Sequence, residues 1–183
     1  MKAGVVLPQG WVLEYRHHDP REAWANTVAV AEAAELLGFE SIWLYDHFHT
    51  WPQPEDAIVF EPFVALSALA TLTERVCLGH IVICTGFRNP ALVAKMISTL
   101  DVVSGGRTEL GIAGVMTLDE GLAVGTDSHD NRRARGSVSE DVEFVSRRVD
   151  GTSGGGASGG GRGARGAGGV GGPVGVGRRR GGG

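Results

Sequence analysis

The middle of the sequence carries a strand–helix–strand pattern, and this pattern limits the chain to a small set of folds. Residues 76–83 are almost all apolar, which is typical of a strand buried on both faces in a parallel sheet. Asn89 and Pro90 then begin a helix, because asparagine is a good cap and proline suits the first turn. Glycines at 105–106 end the helix, and residues 108–112 are extended again. We therefore predict two parallel strands joined by a right-handed helical crossover.

Two similar strand–helix pairs precede this unit. Residues 2–8 and 41–45 predict strands, and helices are predicted to begin at Pro20 and to cover residues 62–73. Apolar residues at helical spacing predict the inward faces of the three helices: Trp24, Val28, Ala31 and Ala34; Phe63, Leu66, Leu69 and Ala70; and Leu92, Met96, Leu100 and Val103. The alternation predicts an α/β fold with a parallel sheet, and it leaves open whether the sheet is doubly wound or closed into a barrel.

The last part of the sequence differs in composition from the rest. Of the 30 glycines, 18 lie in residues 151–183, whereas all four tryptophans lie before residue 52. We expect residues 151–183 to be a disordered Gly/Arg-rich tail, because they cannot bury enough apolar surface to offset the entropy of ordering. Within residues 115–150, three valines on one face predict a short helix over 137–148. Residues 1–114 therefore hold the core-forming domain.

Charge and cysteine content narrow the setting in which the protein works. The chain has 183 residues and a formal net charge of −4, so no overall field favours a polyanion such as nucleic acid. Cys77 and Cys84 lie in one predicted strand, on opposite faces and too far apart to pair, so we expect thiols in a reducing cytoplasm. No apolar run is long enough to span a membrane, and no signal peptide is evident.

The segment GFRNPALVAKMISTLDVVSGGRTELGI resembles part of the luciferase-like monooxygenase superfamily, most closely the branch that uses the deazaflavin coenzyme F420. Three earlier stretches share the resemblance: VVLPQGW at 5–11, GFESIW at 38–43 and DHFHT at 46–50. The similarity covers about residues 1–113. It implies a (β/α)8 TIM barrel, which needs about 250 residues. We therefore expect residues 1–114 to be the N-terminal half of a barrel, with four parallel strands.

The resemblance also implies a cofactor site at the carboxyl ends of these strands. In the F420 enzymes an Asp-His pair lies beside the deazaflavin ring. His47 is thus expected as the proton donor or acceptor next to hydride transfer, and Asp46 as the residue that orients it or contacts the cofactor. A non-proline cis peptide is expected between Ile81 and Val82, against the ring. The expected cofactor-binding residues are Asp46, His47, Ile81, Val82, Cys84, Thr85 and Gly111.

Several of these residues have a competing structural interpretation. Asp46 can cap a turn with His47 as an ordinary loop residue, and the third strand can be an ordinary buried strand. Arg88 is either an ion-pair residue or a contact to the anionic tail of a cofactor, and the sequence leaves both open. His47 and His49 beside Asp46 suggest a metal site, but zinc needs three or four ligands and no further suitable cluster follows. We expect no metal.

The expected function is an F420-dependent oxidoreductase that transfers a hydride between the deazaflavin and a small organic substrate. An FMN-dependent luciferase-like monooxygenase is the alternative within the superfamily. Homodimers are common in the resembling enzymes, so the resemblance offers a homodimer as a candidate assembly, which the sequence itself does not determine. An RNA-binding role for the arginines of the tail is a further alternative, weakened because the tail has no aromatic residue for stacking.

The pattern of the resembling family breaks after Gly114. Val115 and Met116 stand where some members place an acidic catalytic residue, and the sequence then becomes rich in glycine and arginine. We expect the residues after about 114 to be a truncated or frameshifted reading of a GC-rich gene, against the alternative of a natural Gly/Arg tail. A non-catalytic half-barrel fragment is therefore an alternative to the enzyme.

Overall fold

The computed structural model describes residues 3–114 and the short segment 174–176. The strands are β1 (Gly4–Val6), β2 (Ser41–Leu44), β3 (Cys77–Cys84), β4 (Thr108–Ala113) and β5 (Val174–Val176). The helices are α1 (Pro20–Leu36), α2 (Pro62–Leu72) and α3 (Pro90–Val103), and a 3-10 turn (Thr85–Phe87) follows β3. The helix predicted over 137–148 lies outside the described residues, as do the rest of 115–150 and all of 151–183 except β5.

The first four strands run parallel in their sequence order, with one helix between each strand and the next. The register places Trp43 of β2 between Val6 of β1 and Gly79 of β3, and Gly79 beside Glu109 of β4. The predicted parallel α/β sheet is therefore confirmed. Because all four strands point the same way, the segments that follow them meet at one edge of the sheet.

β5 pairs with the outer edge of β4 in antiparallel orientation, with Gly175 opposite Gly111. These three residues lie within 151–183, for which the sequence predicted a disordered tail; for the rest of that segment disorder stays a prediction. Among the described strands β4 is the last parallel one, so its outer edge presents backbone N–H and C=O groups that need partners. A short Val-Gly-Val stretch can supply them, since valine favours the extended conformation.

The three helices cover one side of the sheet and form the core with it. Ile42, Leu44 and Leu78 are fully buried on the strands. The predicted inward residues of α2 are all buried, which confirms the predicted face: Phe63, Leu66, Leu69 and Ala70. No helix in the part of the chain that the structure describes has both the length and the apolar character needed to cross a membrane.

The inward face of α3 differs from the predicted one. The buried residues of this helix are Val93, Ala94, Ile97 and Leu100. Leu92 and Val103, which the spacing placed inward, are 51% and 50% exposed, and Met96 packs only partly against the core. Because α3 carries apolar residues on two adjacent faces, periodicity alone does not select between them. Packing against α2 and β4 makes the choice.

The inward face of α1 is also shifted relative to the prediction. Its buried residues are Ala23, Thr27, Ala31 and Ala34. Trp24 and Val28, which were predicted to face inward, are only partly buried at the margin of the core. Thr27 takes the inward position because its hydroxyl donates to the Pro8 carbonyl at 2.9 Å and lies 2.8 Å from the Tyr15 hydroxyl. Thr27 is thus a polar residue buried in the core with its hydroxyl hydrogen-bonded, which the apolar periodicity did not predict.

Side-chain caps begin all three helices. Asp19 and Asn89 each accept a hydrogen bond from the backbone N–H two residues later, at 2.9 Å, which confirms both predicted helix starts. Glu61 caps α2 by accepting from the Val64 N–H at 2.7 Å. This third cap was not predicted, because glutamate is an infrequent cap residue.

Arg107 lies at the end of the sheet opposite the carboxyl ends of the parallel strands. Its buried guanidinium donates to the carbonyls of Ala70, Thr73 and Val76 at 2.7 to 2.9 Å. Its Nε donates to the Ser104 carbonyl at 2.7 Å. One side chain thus ties the carboxyl ends of α2 and α3 to the start of β3, and it satisfies helix-end carbonyls that would otherwise be buried without partners.

Candidate active site

The candidate site lies at the edge of the sheet where the parallel strands end. Trp11 stands in the loop after β1, Asp46 and His47 follow β2, and Cys84 is the last residue of β3. In barrels of this architecture, residues at the carboxyl ends of strands carry the chemistry, and the opposite end carries stability. The edge therefore gathers side chains that are distant in sequence.

Asp46 joins the ends of β2 and β3. Its side chain is buried, and Oδ2 accepts hydrogen bonds from the Cys84 N–H at 2.9 Å and from Arg88 Nη1 at 2.7 Å. A buried carboxylate needs such donors, because it loses its hydration on folding. Asp46 is therefore held as a structural acceptor at the site, beside the predicted proton carrier His47 in the sequence.

Arg88 carries a second carboxylate at the same time. Its Nη2 donates to Glu61 Oε1 at 2.8 Å, and the guanidinium lies 5.4 Å from the centre of the Phe63 ring. Burial by itself would lower the pKa of Arg88, but the hydrogen bond and charge of Asp46, with those of Glu61, raise it above its ordinary value. Of the two interpretations that the sequence left open for Arg88, the structure shows the ion pair.

His47 is held against an aromatic side chain that the sequence did not single out. The imidazole is 7% exposed and stacks on the Trp11 indole, with ring centroids 4.2 Å apart and planes at 5°. Tyr45 lies 6.0 Å from the same imidazole. Trp11 is fixed in turn by its carbonyl, which accepts from the Trp51 N–H at 2.8 Å. The sequence signal that could have pointed to Trp11 was the presence of aromatic residues near the DHFHT motif.

Gln9 positions the loop that carries Trp11, and it was also missed. This glutamine is fully buried, and its amide accepts from the Tyr45 N–H and donates to the Tyr45 carbonyl, both at 2.8 Å. The same amide nitrogen donates to the Phe60 carbonyl at 2.5 Å. A side-chain amide that copies the backbone pairing of a strand in this way extends the sheet beyond the end of β2.

The peptide bond between Ile81 and Val82 is cis, as the resemblance predicted. The pairing of β3 with β4 shifts register between His80 and Ile83, around this bond. Gly111 of β4 lies directly beside it, since a Cβ at position 111 would be 2.7 Å from the His80 carbonyl oxygen and 3.0 Å from Val82 Cγ1. Glycine is therefore required at 111 for close strand packing, whatever contact it makes with a cofactor.

The segment after β3 completes the edge. Cys84 is buried, and Thr85 begins the 3-10 turn as a partly buried residue. Phe87 at the end of this turn packs on Phe48, with ring centroids 4.4 Å apart, which holds the segment against the loop after β2. The structure thus brings Cys84 next to Asp46. The cofactor-binding roles of Asp46, His47, Ile81, Val82, Cys84, Thr85 and Gly111 stay predictions.

His80 lies behind the site, in the layer between the sheet and the helices. It is fully buried and packs on Phe63, with ring centroids 4.3 Å apart. Burial lowers the pKa of His80 from 6.5 to about 3, since the Glu109 carbonyl raises it by less and the positive charge of Arg88 lowers it further. His80 is therefore neutral at physiological pH and serves as a core residue.

A metal-binding cluster is not evident near the Asp-His pair. Within residues 3–114 and 174–176, no group of three His, Cys, Asp or Glu side chains converges on a common point. The His49 ring nitrogen Nδ1 lies 3.2 Å from its neighbouring carbonyl, that of Thr50. The described part of the chain thus offers no set of three ligands that zinc would use.

The chain belongs to the luciferase-like monooxygenase family, whose family model matches residues 1–152. The match extends past residue 113, where the resemblance was expected to end.

Named relatives include both F420-dependent dehydrogenases and a monooxygenase. F420-dependent glucose-6-phosphate dehydrogenase from Intrasporangium calvum is 39% identical over 123 residues, covering 66% of this chain and 34% of the relative. F420-dependent hydroxymycolic acid dehydrogenase from Mycobacterium tuberculosis is 35% identical, covering 59% and 29%. Limonene 1,2-monooxygenase from Rhodococcus erythropolis is 32% identical, covering 73% and 33%. The chain therefore spans about a third of the length of these relatives.

Solved structures of the same fold agree with this assignment. A monooxygenase from Streptomyces bottropensis is similar with a TM-score of 0.68 and 27% identity, over 80% of this chain and 42% of the other. An F420-dependent secondary alcohol dehydrogenase, solved with an F420–acetone adduct, is similar with a TM-score of 0.62 and 25% identity, over 79% and 41%. The predicted fold class, four parallel strands from the N-terminal half of a (β/α)8 barrel, is confirmed.

Proposed function

We propose that this chain supplies the ring-contacting part of an F420-dependent oxidoreductase that transfers a hydride between the deazaflavin and a small organic substrate. The observation that carries the proposal is His47, a buried imidazole held flat on Trp11 at the carboxyl end of β2. Relatives named as F420-dependent dehydrogenases, at 39% and 35% identity, support the choice of cofactor. The described residues form only one side of the site in which this hydride transfer would take place.

The residues present suit the ring of a deazaflavin. Ile81 is 38% exposed although it lies within a strand, so it offers an apolar surface to a planar ring beside Val82 and Gly111. Arg88 already pairs with two carboxylates of the protein, so its guanidinium is not assigned to the anionic tail of a cofactor. The proposal therefore assigns the ring, and not the anionic tail of the cofactor, to these residues.

Each residue then has a definite task. When bound, F420 supplies a hydride donor or acceptor at the C5 carbon of its ring. His47 takes the proton from the substrate hydroxyl as the substrate is oxidised, and returns it in the reverse direction. Trp11 keeps the imidazole plane fixed, and Asp46 holds the ends of β2 and β3 together. Cys84 and Thr85 contact the cofactor at the mouth of β3.

Fluorescence titration of the full chain with F420 and, separately, with FMN tests the proposal. We expect saturable binding of F420 in the micromolar range and about tenfold weaker binding by His47→Ala. His18→Ala is the matched control, since His18 is exposed in the loop before α1 and should leave the affinity unchanged. A folded wild-type chain that binds neither cofactor would show that this chain is a non-catalytic half barrel.

An FMN-dependent monooxygenase is the second candidate. The observation that favours a monooxygenase is the 32% identity to limonene 1,2-monooxygenase, a match that covers 73% of this chain. The same edge of the sheet would contact the flavin ring. Saturable binding of FMN without binding of F420 in the titration above selects this candidate.

The proposal extends to a homodimer. The outer surface of α3 exposes Leu92, Val102 and Val103, which are apolar residues of the kind that interfaces cover. Sedimentation velocity at two protein concentrations tests the assembly, and a single species of monomer mass at both concentrations would contradict it.

A further inference from the structure

We propose that Arg88 is a positioning residue that fixes His47 by clamping Asp46 and Glu61 together at the site edge. The inference rests on the proposed function in treating His47 as the proton carrier. It goes beyond that function by naming the device that sets where the imidazole stands. Arg88 lies in the 3-10 to α3 connection and reaches back to β2 and α2.

The clamp has two arms of nearly equal length. Arg88 Nη1 reaches Asp46 Oδ2 at 2.7 Å, and Nη2 reaches Glu61 Oε1 at 2.8 Å. The planar guanidinium presents these donors at a fixed angle, so the positions of the two carboxylates determine each other. The side chain of Arg88 is 11% exposed, and that of Asp46 is 3% exposed, so water screens the Asp46 arm little.

Each carboxylate belongs to a different part of the fold. Asp46 also accepts from the Cys84 N–H, which joins the end of β3, while Glu61 also accepts from the Val64 N–H, which begins α2. The Phe63 ring lies under the guanidinium at 5.4 Å and limits its movement. One arginine therefore connects the carboxyl ends of two strands to the start of a helix.

His47 depends on this connection because it is the next residue in the chain after Asp46. The backbone leaves β2 at Leu44, so only two residues separate the strand from His47. Trp11 holds one face of the imidazole, and its loop is anchored to the Trp51 backbone and, through Gln9, to the Tyr45 backbone at the end of β2. Asp46 supplies the anchor to β3, and Arg88 supplies the charge that keeps Asp46 in place.

The test uses NMR of the imidazole Cε1–H signals of the full chain without any cofactor, followed by titration with F420. We expect Arg88→Met to shift or broaden the His47 signal and to weaken F420 binding at least tenfold. Arg88→Lys should shift the same signal, because an ammonium group cannot present two donors at the fixed angle. Arg16→Met is the matched control, since Arg16 forms an exposed ion pair with Glu55.

The outcomes separate this inference from the proposed function. If the folded Arg88→Met chain keeps the His47 signal of the wild type, the inference is wrong, even where its thermal stability falls. If the wild type does not bind F420 but Arg88→Met moves the His47 signal, the proposed function fails and the clamp stands. Should Arg88→Met not fold, Glu61→Gln removes the charge from one arm while its side-chain oxygen still caps α2, and a smaller shift of His47 is expected.

Discussion

The imidazole of His47 lies parallel to the indole of Trp11, with ring centroids 4.2 Å apart and an angle of 5° between the planes. The two residues come from the loops after different strands, so their stacking depends on the parallel order of β1 and β2. A stacked aromatic pair of this kind contributes about 0.5–1.5 kcal/mol beyond burial. Trp11 therefore belongs to the candidate site as the support of its proposed proton carrier.

Replacing Trp11 tests whether this support matters for binding. Trp11→Ala removes the surface on which the imidazole rests, and we expect F420 affinity to fall about threefold to tenfold, in line with the energy of a stacked pair. Trp11→Phe keeps an aromatic face, so its loss of F420 binding free energy should be less than half of that caused by Trp11→Ala. Fluorescence titration measures both, with Leu37→Ala as a control at an exposed position. Equal affinity of Trp11→Ala and wild type would contradict the assigned role.

The buried neutral His80 makes stability depend on pH. Its folded pKa of about 3 lies below the ordinary value of 6.5, so below pH 6.5 the unfolded chain binds a proton that the folded chain does not. The contribution of the neutral His80 to the free energy of unfolding is fully present above pH 6.5, and it is lost as the pH falls toward 3. Between pH 7 and pH 5 the loss amounts to about 2 kcal/mol in the free energy of unfolding.

Urea unfolding at the two pH values checks this account of His80. We expect His80→Leu to lose about 2 kcal/mol less than the wild type between pH 7 and pH 5, because leucine cannot take up the proton. His18→Asn is the control, since His18 is exposed and should leave the difference unchanged. An identical loss in His80→Leu and wild type would mean that the imidazole is accessible to protons in the folded chain.

At the end of the sheet opposite the candidate site, Arg107 is expected to be the position at which substitution lowers the free energy of unfolding most. Arg107→Met leaves the carbonyls of Ala70, Thr73 and Val76 buried without their donor, and we expect a loss of about 3 kcal/mol or more in the free energy of unfolding. Arg107→Lys should recover only part, because one ammonium cannot reach all of these carbonyls. Urea unfolding measures the loss, and Arg21→Met, at an exposed position of α1, should change stability by less than about 0.5 kcal/mol.

Local features of the sequence were sufficient for much of the fold. The Asn89-Pro90 start, the glycine pair after α3 and the apolar run of β3 depend on neighbours within a few residues, so their physics can be read directly from the chain. The inward face of α3 could not be chosen, because Leu92 and Val93 begin two equally apolar stripes. Only contact with α2 and β4 distinguishes them.

The candidate site was predicted in part, and the missing part is non-local. The Asp46-His47 pair and the cis bond at Ile81 were predicted from the family resemblance, which records positions in the chain and not contacts. Arg88 reaches Asp46 across 42 positions and Glu61 across 27. No periodicity or spacing connects residues so distant, which is why the sequence left the role of Arg88 open.

The most direct test of the central claim is the response of the His47 imidazole to F420 in the full chain. Selectively labelled protein is titrated with F420 while the imidazole signals of His47, His18 and His80 are followed by NMR. The proposed function predicts a saturable shift of the His47 signal, with the exposed His18 and the buried His80 unchanged. Binding of F420 that leaves His47 unshifted, or a folded chain with no response at any concentration, would contradict the claim that this edge holds the deazaflavin ring.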